Sequence, residues 1–358
     1  MSKYLCYLHY LGFSHKNLFK IFENNREYKI YFENFTYKDL QNLGFNPEKI
    51  EKILEKRNSL SLKKIDDLLL NLKVQIITYH DSEYPSGLKN IPNKPFLIYL
   101  RGCLRSDFNL ISVVGSRKGT KYSEIILEKL IPDLIKSNFG IVSGGAFGVD
   151  SLSHKITISN SGYTISVIGT SIEKCYPASN RELYDKIISS GGAILSIFPL
   201  GTGGEPYNFP IRNEIIAGIS LGTIITEAGE NSGTLITAFL ALELNKDVFV
   251  VPGDITRTTS IGSNNLIKDG LGKLTICIDD ILEEYGNIGF GNYSRNSDDI
   301  EFEDQIEKNI YDQVYQESSS SSSIAQKLDL DIDIVNMKLS ILEIKGLIKL
   351  DIGGTYRI

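Results

Sequence analysis

Along residues 1–72 the apolar side chains recur at helical spacing. Ile50, Ile53 and Leu54 form one set, and Ile65, Leu68, Leu69 and Leu72 another. Positions three and four apart share one helix face, so this stretch is expected to be a helical domain. From residue 73 to 285 the pattern changes. Short β-branched runs occur at Ile111–Val114, Ile141–Ser143, Thr164–Ile168, Ala193–Ile197, Thr223–Thr226 and Val248–Val251. Helical stretches separate them, among them Tyr122–Lys136, Asn180–Ser189, Ile211–Ile219 and Leu235–Leu244. Such alternation predicts βαβ units and a parallel sheet covered on both faces, an α/β core. A polar, glycine-containing run, Gly291 to Asp299, then predicts a linker over 286–305. Ser318 to Ser323 is either a flexible spacer or a serine-rich entry to a helix. In 306–358, helix candidates Ile306–Tyr315, Ile324–Leu328 and Asp333–Lys345 precede two runs flanking Gly353-Gly354, a hairpin signal. Three helices and a hairpin predict a winged helix.

The polar breaks in the α/β region carry the chemistry. Val114-Gly115-Ser116-Arg117, Ser143-Gly144-Gly145-Ala146-Phe147-Gly148, Ile168-Gly169-Thr170-Ser171, Ala228 to Thr234 and Val251-Pro252-Gly253 each follow a predicted strand. In a parallel sheet such loops share one edge, where ligands bind. Glycine allows backbone N–H groups close to a ligand, and helix N-termini add positive potential. Several such loops in series suit a long anion or one with more than one phosphate. An ordinary tight turn with a solvated arginine would explain any one of them, but not the series.

Composition narrows this. Net charge is −6, so any nucleic-acid binding is confined to a local site. In residues 1–72 twelve basic residues stand against nine acidic ones, and Leu43-Gly44-Phe45 is a candidate helix-hairpin-helix turn, against a plain helical packing domain. Cys6, Cys103, Cys175 and Cys277 lack the spacing of a zinc site or disulfide framework, as expected of reduced thiols in a cytoplasmic protein. No leader peptide is read in Met1–Lys16, and no apolar run is long enough for a membrane span.

The glycines do not follow G-x-G-x-x-G, since Gly115 is followed next by Gly119, and no G-x-x-x-x-G-K-S/T occurs. Neither a dinucleotide cofactor nor ATP hydrolysis is therefore expected. Gly218-Ile219-Ser220-Leu221-Gly222 matches G-x-S-x-G, but with a helix before it and a strand after, the reverse of a nucleophile elbow. His9, His15, His80 and His154 have no metal-ligand spacing; His154 follows the Gly-rich loop and reads as a packed or solvated helix residue. Lys174, Arg212 and Asn213 are candidate phosphate or base contacts, and Phe209 and Tyr207 suit stacking on unpaired bases. From Ile324 to Ile358 five basic residues meet five acidic ones, with Asp331 and Asp333 near the start of the recognition helix, Asp333–Lys345. That balance points to protein contact over groove reading.

These motifs, taken in order, resemble the DNA-processing protein A family (DprA, also called Smf). Asp81-Ser82-Glu83-Tyr84-Pro85 and Pro95 to Gly102 resemble its opening segment. Val114 to Arg117, Ser143 to Asp150 with His154, Tyr176-Pro177 with Asn180, and Phe209 to Asn213 with Ile216-Ala217-Gly218 resemble its core. Ser232 to Ala238, Val251-Pro252-Gly253, and Asn265-Leu266-Ile267 with Gly270 complete the match. The resemblance implies an extended Rossmann-like domain between an N-terminal helical domain of the SAM or helix-hairpin-helix kind and a C-terminal winged helix. It implies a homodimer, not an enzyme, that binds single-stranded DNA in natural transformation and loads a RecA-type recombinase. It places Gly115, Ser116, Arg117, Gly144, Gly145, Ala146, Lys174, Arg212, Asn213, Ser232 and Thr234 around the strand. Two positions depart from the pattern: Glu214 stands where a second arginine is usual, and Gly145 where leucine is common.

A second reading is an enzyme. Nucleoside-monophosphate phosphoribohydrolases of the lysine-decarboxylase-like group have a related sheet and a P-G-G-x-G-T-x-x-E loop. Here Glu230 to Thr237 has Gly-Thr without paired glycines, and Thr237 stands in place of the acid. Glu227 is left as the unassigned carboxylate in that region.

Overall fold

Nine strands form one sheet: β1 (Gln75–Thr78), β2 (Leu97–Gly102), β3 (Asn109–Val114), β4 (Phe139–Ser143), β5 (Thr164–Val167), β6 (Ala193–Ser196), β7 (Gly222–Ile225), β8 (Asp247–Val250) and β9 (Lys273–Leu274). Their order is β1-β2-β6-β5-β4-β3-β7-β8-β9. The computed structural model describes residues 2–23, 27–285, 302, 304–316, 319–345, 347–351 and 354–357. It divides into two compact units, 1–291 and 292–358.

From β6 through β9 the neighbours are parallel. The expectation of a wholly parallel sheet needs correcting at one edge. There β1 pairs antiparallel with β2, and β2 antiparallel with β6. Gly102 permits that pairing: its φ is +95°, and a Cβ there would lie 2.1 Å from the Gly192 carbonyl oxygen. Among the described residues, thirteen α-helices belong to the fold around the sheet and before it. α1 (Ser2–Tyr10), α2 (His15–Glu23), α3 (Tyr28–Asn34), α4 (Tyr37–Asn42), α5 (Pro47–Ser59) and α6 (Leu62–Asn71) precede it; α7 (Lys121–Lys136), α8 (Val149–Ser159), α9 (Arg181–Ser189) and α10 (Asn208–Ile219) are crossovers. The chain continues through α11 (Gly233–Glu243), α12 (Ile261–Lys268) and α13 (Asp279–Tyr285).

Alternation along the strands builds two cores. Ile111 and Val113 of β3 join Leu127, Leu130 and Leu134 of α7 on one face. Val114, Val142, Ile165 and Ile225 meet Ile215, Ile216 and Ala238 on the other. A third core joins the N-terminal helices to the sheet. Leu5, Tyr7, Leu18, Ile21, Tyr28 and Ile50 pack in one cluster with Phe96, Tyr99, Ile172, Leu183 and Leu200. His9 Nδ1 lies 2.9 Å from the Tyr99 hydroxyl, and His15 Nε2 lies 3.0 Å from the Ile197 carbonyl oxygen. The Leu43-Gly44-Phe45 turn ends α4: Gly44 takes a φ of +89°, and the Phe45 ring is buried.

The Gly218–Gly222 stretch lies at the end of α10 and the start of β7. The Ser220 hydroxyl donates to the Ile216 carbonyl at 2.9 Å. Lys246 Nζ donates to the carbonyls of Ala217 (2.8 Å), Gly218 (2.7 Å) and Ser220 (2.5 Å), capping the C-terminus of α10.

In the second unit α14 (Gln305–Gln316), α15 (Ser321–Leu328) and α16 (Ile332–Ile344) are followed by an antiparallel pair, β10 (Lys349–Leu350) and β11 (Tyr356–Arg357). Ile310, Ile324, Val335, Leu339 and Leu342 form its core. The serine run enters a helix: Ser320 caps α15, its side chain accepting from the Ser323 amide at 3.3 Å. Ser318, Gly353 and most of the expected linker lie outside the described residues.

Candidate nucleic-acid interface

The strand order reverses at β3, whose neighbours are β4 and β7, so the crevice between β3 and β7 is the switch point of the parallel sheet. A cleft of about 820 Å³ opens there. Three loops make its floor, and glycines let them close on one another. A Cβ on Gly115 would lie 2.5 Å from Thr226 Oγ1 and 2.7 Å from a Val149 methyl. A Cβ on Gly148, whose φ is +75°, would lie 2.3 Å from the Ser116 carbonyl oxygen. That same oxygen accepts from the Val149 amide at 3.2 Å, tying the loop after β3 to the start of α8.

The first turns of α8, α10 and α11 border the cleft through Ala146 and Asp150, through Phe209, Arg212 and Asn213, and through Ser232 and Thr234. Ser232 caps α11, its side chain accepting from the Thr234 amide at 3.2 Å. Among the charged residues of the lining, Arg117, Lys118 and Arg212 stand against Asp150, so the cleft is positive on an acidic chain. Arg117 is exposed at the rim, whereas Arg212 is buried. Their guanidinium carbons lie 5.3 Å and 5.9 Å from the centroid of the half-buried Phe209 ring. The Tyr176 ring lies 5.5 Å from it. Arg212 Nε has no hydrogen-bond partner among the described residues. Burial lowers the pKa of the Arg212 guanidinium, and the Asp150 carboxylate opposes that shift. Burial raises the Asp150 pKa, with Arg212 pulling it back.

Of the residues singled out in the sequence, Gly115, Ser116, Arg117, Ala146, Phe209, Arg212, Asn213, Ser232 and Thr234 line this one cleft. Gly144 and Gly145 lie behind it. A Cβ on Gly144 would sit 1.4 Å from Arg212 Nη1, so the glycine makes room for the guanidinium. Gly145 has a φ of +64° and its carbonyl accepts from Asn180 Nδ2 at 2.9 Å. Lys174 is outside the lining; its exposed ammonium donates to the Gly201 carbonyl at 2.5 Å. Tyr207 is also outside it, and exposed. His154 is fully buried with Nδ1 2.7 Å from Thr164 Oγ1, a packed residue.

Glu214 turns from the cleft: its carboxylate accepts from the Asn93 amide and side chain, each at 3.1 Å. Glu227 is fully buried and accepts from Thr120 Oγ1 at 2.8 Å, from the Ser123 hydroxyl, and from Thr259 Oγ1 at 3.2 Å. Lys118, Asp150, Tyr176, Asn231, Thr258 and Thr259 also line the cleft without having been singled out as contacts. Lys118 is adjacent to the Gly-Ser-Arg loop and was within reach of the sequence. The two threonines come from the segment after β8, which only the fold brings to the crevice.

The fold and site together define an α/β protein with an anion-receptive, aromatic-lined cleft at its switch point. A family model described as DNA recombination-mediator protein A matches residues 75–286, and the chain belongs to that family. Protein Smf of Synechocystis is 38% identical over 232 residues, spanning 63% of this chain and 58% of that protein. DNA processing protein DprA of Streptococcus pneumoniae is 38% identical over 228 residues, 62% of this chain and 79% of its own. Among solved structures, the S. pneumoniae DNA processing protein A aligns with a TM-score of 0.67 and 31% identity, covering 79% of this chain and 98% of that one. A Helicobacter pylori DNA processing protein A, described for its single-stranded DNA binding mode, aligns with a TM-score of 0.53 and 26% identity over 59% of this chain and 95% of its own.

Proposed function

We propose that the cleft binds single-stranded DNA and that the chain is a recombination mediator of natural transformation. In this reading it acts in the cytoplasm as a homodimer, shields incoming strands and loads a RecA-type recombinase onto them. The observation that carries the reading is the half-buried Phe209 ring with Arg117 and Arg212 beside it in a positive cleft. An unpaired base can stack on an aromatic face, while paired bases are already stacked on both sides. Phosphates would meet Arg117, Lys118, the Ser116 hydroxyl and the amides at the starts of α8 and α11. Lys174 would join them by releasing Gly201. The family membership and the H. pylori relative support the same assignment.

Hydrolysis finds little support in the site. Glu227, the carboxylate it would call on, is buried and already accepts from three hydroxyls.

Fluorescence anisotropy with a labelled oligo-dT strand and its duplex tests the proposal. The strand should bind more tightly than the duplex, with a log–log salt slope of about −0.7 per phosphate neutralised. Arg117→Ala should weaken it roughly tenfold or more, the effect of losing a hydrogen bond to a charged group. Equal binding of strand and duplex, or indifference to Arg117, would overturn the reading.

A further inference from the structure

Helix α16 of the second unit buries Val335, Lys338, Leu339 and Leu342 against its own core. Its outer face carries Ile334, Met337, Ile341 and Ile344, at spacings of three, four and three residues. Ile334 is 38% exposed, Met337 54% and Ile344 87%, while Ile341 is half-buried. This is the seam of a coiled-coil helix without its second strand. Asp333 and Ser340 border the seam along one flank, with Asn336 and Glu343 further round the helix behind them, all exposed. The cations of the helix are engaged elsewhere: Lys338 Nζ is 2.7 Å from Asp304, and Lys345 Nζ is 2.7 Å from Glu307.

We propose that this face docks a partner protein through a single amphipathic helix, whose apolar seam packs on Ile334, Met337, Ile341 and Ile344 and whose flank is basic. The charges select that occupant. DNA would bring phosphates against Asp333 and Glu343, with no available cation among the described residues of the helix to meet them. A second copy of α16, seated antiparallel, would oppose the Asp333 flank to its own likeness, acid-bearing to acid-bearing. A lysine- or arginine-flanked helix satisfies both the stripe and the carboxylates. The surface shares no residue with the cleft and gives the protein a second, protein-directed function.

The test uses the full chain and two synthetic helical peptides, fluorescein-labelled, with leucine at the seam positions. One carries lysine at the flanking positions and the other glutamate. The lysine peptide should bind, and the glutamate peptide should bind at least about tenfold more weakly. The exposed double variant Met337→Ser/Ile344→Ser should weaken the lysine peptide by about tenfold or more. Asp333→Asn/Glu343→Gln should erase the preference between peptides. Oligo-dT binding should stay at its wild-type level in both variants, which separates this result from any failure of the cleft reading. Equal binding of the two peptides, or lysine-peptide binding indifferent to the apolar variant, overturns the proposal. So does a fall in sedimenting mass of the apolar variant without peptide, which would make the occupant a second copy. A change in its duplex or oligo-dT affinity would make the face a DNA surface and also overturn it.

Discussion

Gly144 shows how a residue that no ligand reaches can still set the site. Its missing Cβ is the space that the Arg212 guanidinium occupies, with Asp150 Oδ2 a further 2.6 Å contact for any added carbon. Gly144→Ala should therefore displace Arg212, weaken oligo-dT binding about tenfold or more, and cost about 1–3 kcal/mol of stability, as overpacking does. Gly203→Ala is the comparison, because Gly203 is outside the lining and a Cβ there meets only the end of the Glu205 side chain, at 3.3 Å. Anisotropy and urea unfolding of the pair separate a steric effect at Arg212 from a general loss of glycine. The sequence marked the Gly144–Gly145 pair as candidate contacts. It could not distinguish a glycine that touches a ligand from one that seats the residue which does. That distinction depends on where a helix two crossovers later places Arg212.

At the level of the elements, α10 depends on a residue outside itself. Its last carbonyls converge on Lys246, which lies between α11 and β8. Lys246→Met keeps the stem and removes the charge, leaving three acceptors without their shared donor. A loss of about 2–3 kcal/mol in urea unfolding is expected, with oligo-dT affinity of the folded protein unchanged. An unaltered unfolding midpoint would contradict the capping role. The six central strands were legible because their β-branched runs are bounded by glycine loops. Helix α8 was not given bounds, because its buried side includes Ser151, Ser153, His154 and Thr157 instead of an apolar stripe. Those hydroxyls are satisfied locally, Ser153 donating to the Asp150 carbonyl and Thr157 to the Ser153 carbonyl, each near 2.8 Å and 2.7 Å respectively. Strand β2 was also missed as a strand. Its Leu97-Ile98-Tyr99-Leu100 run has no periodicity, since both of its faces are covered.

For the whole molecule, burial of imidazoles sets an acid limit. Burial lowers the pKa of His15 to about 4 and of His154 to about 3, and holds His9 well below its ordinary value. An unfolded histidine titrates near 6.5, so below that pH the unfolded chain takes up protons that the folded one refuses. Stability from these groups is intact above about pH 6.5 and falls as pH drops toward the folded values. At pH 5 the loss should reach about 2 kcal/mol for each of His15 and His154. Urea midpoints at pH 7 and pH 5 check this, and equal midpoints would contradict it.

The family match begins at residue 75, yet the His9–Tyr99 hydrogen bond and the aromatic cluster around Phe96 reach across that line. The place where ancestry becomes hard to read is therefore not a place where selection can act on two halves separately. Helices α1 to α6 can drift in sequence only in step with the sheet face they cover. A change of ring or volume at Tyr99, Phe96 or Leu200 imposes its matching change among Leu5, His9 and Leu18. A chimera that carried a relative's first seventy-odd residues onto this sheet would inherit half of each such pair, and would need the other half supplied before the two halves packed as they do here.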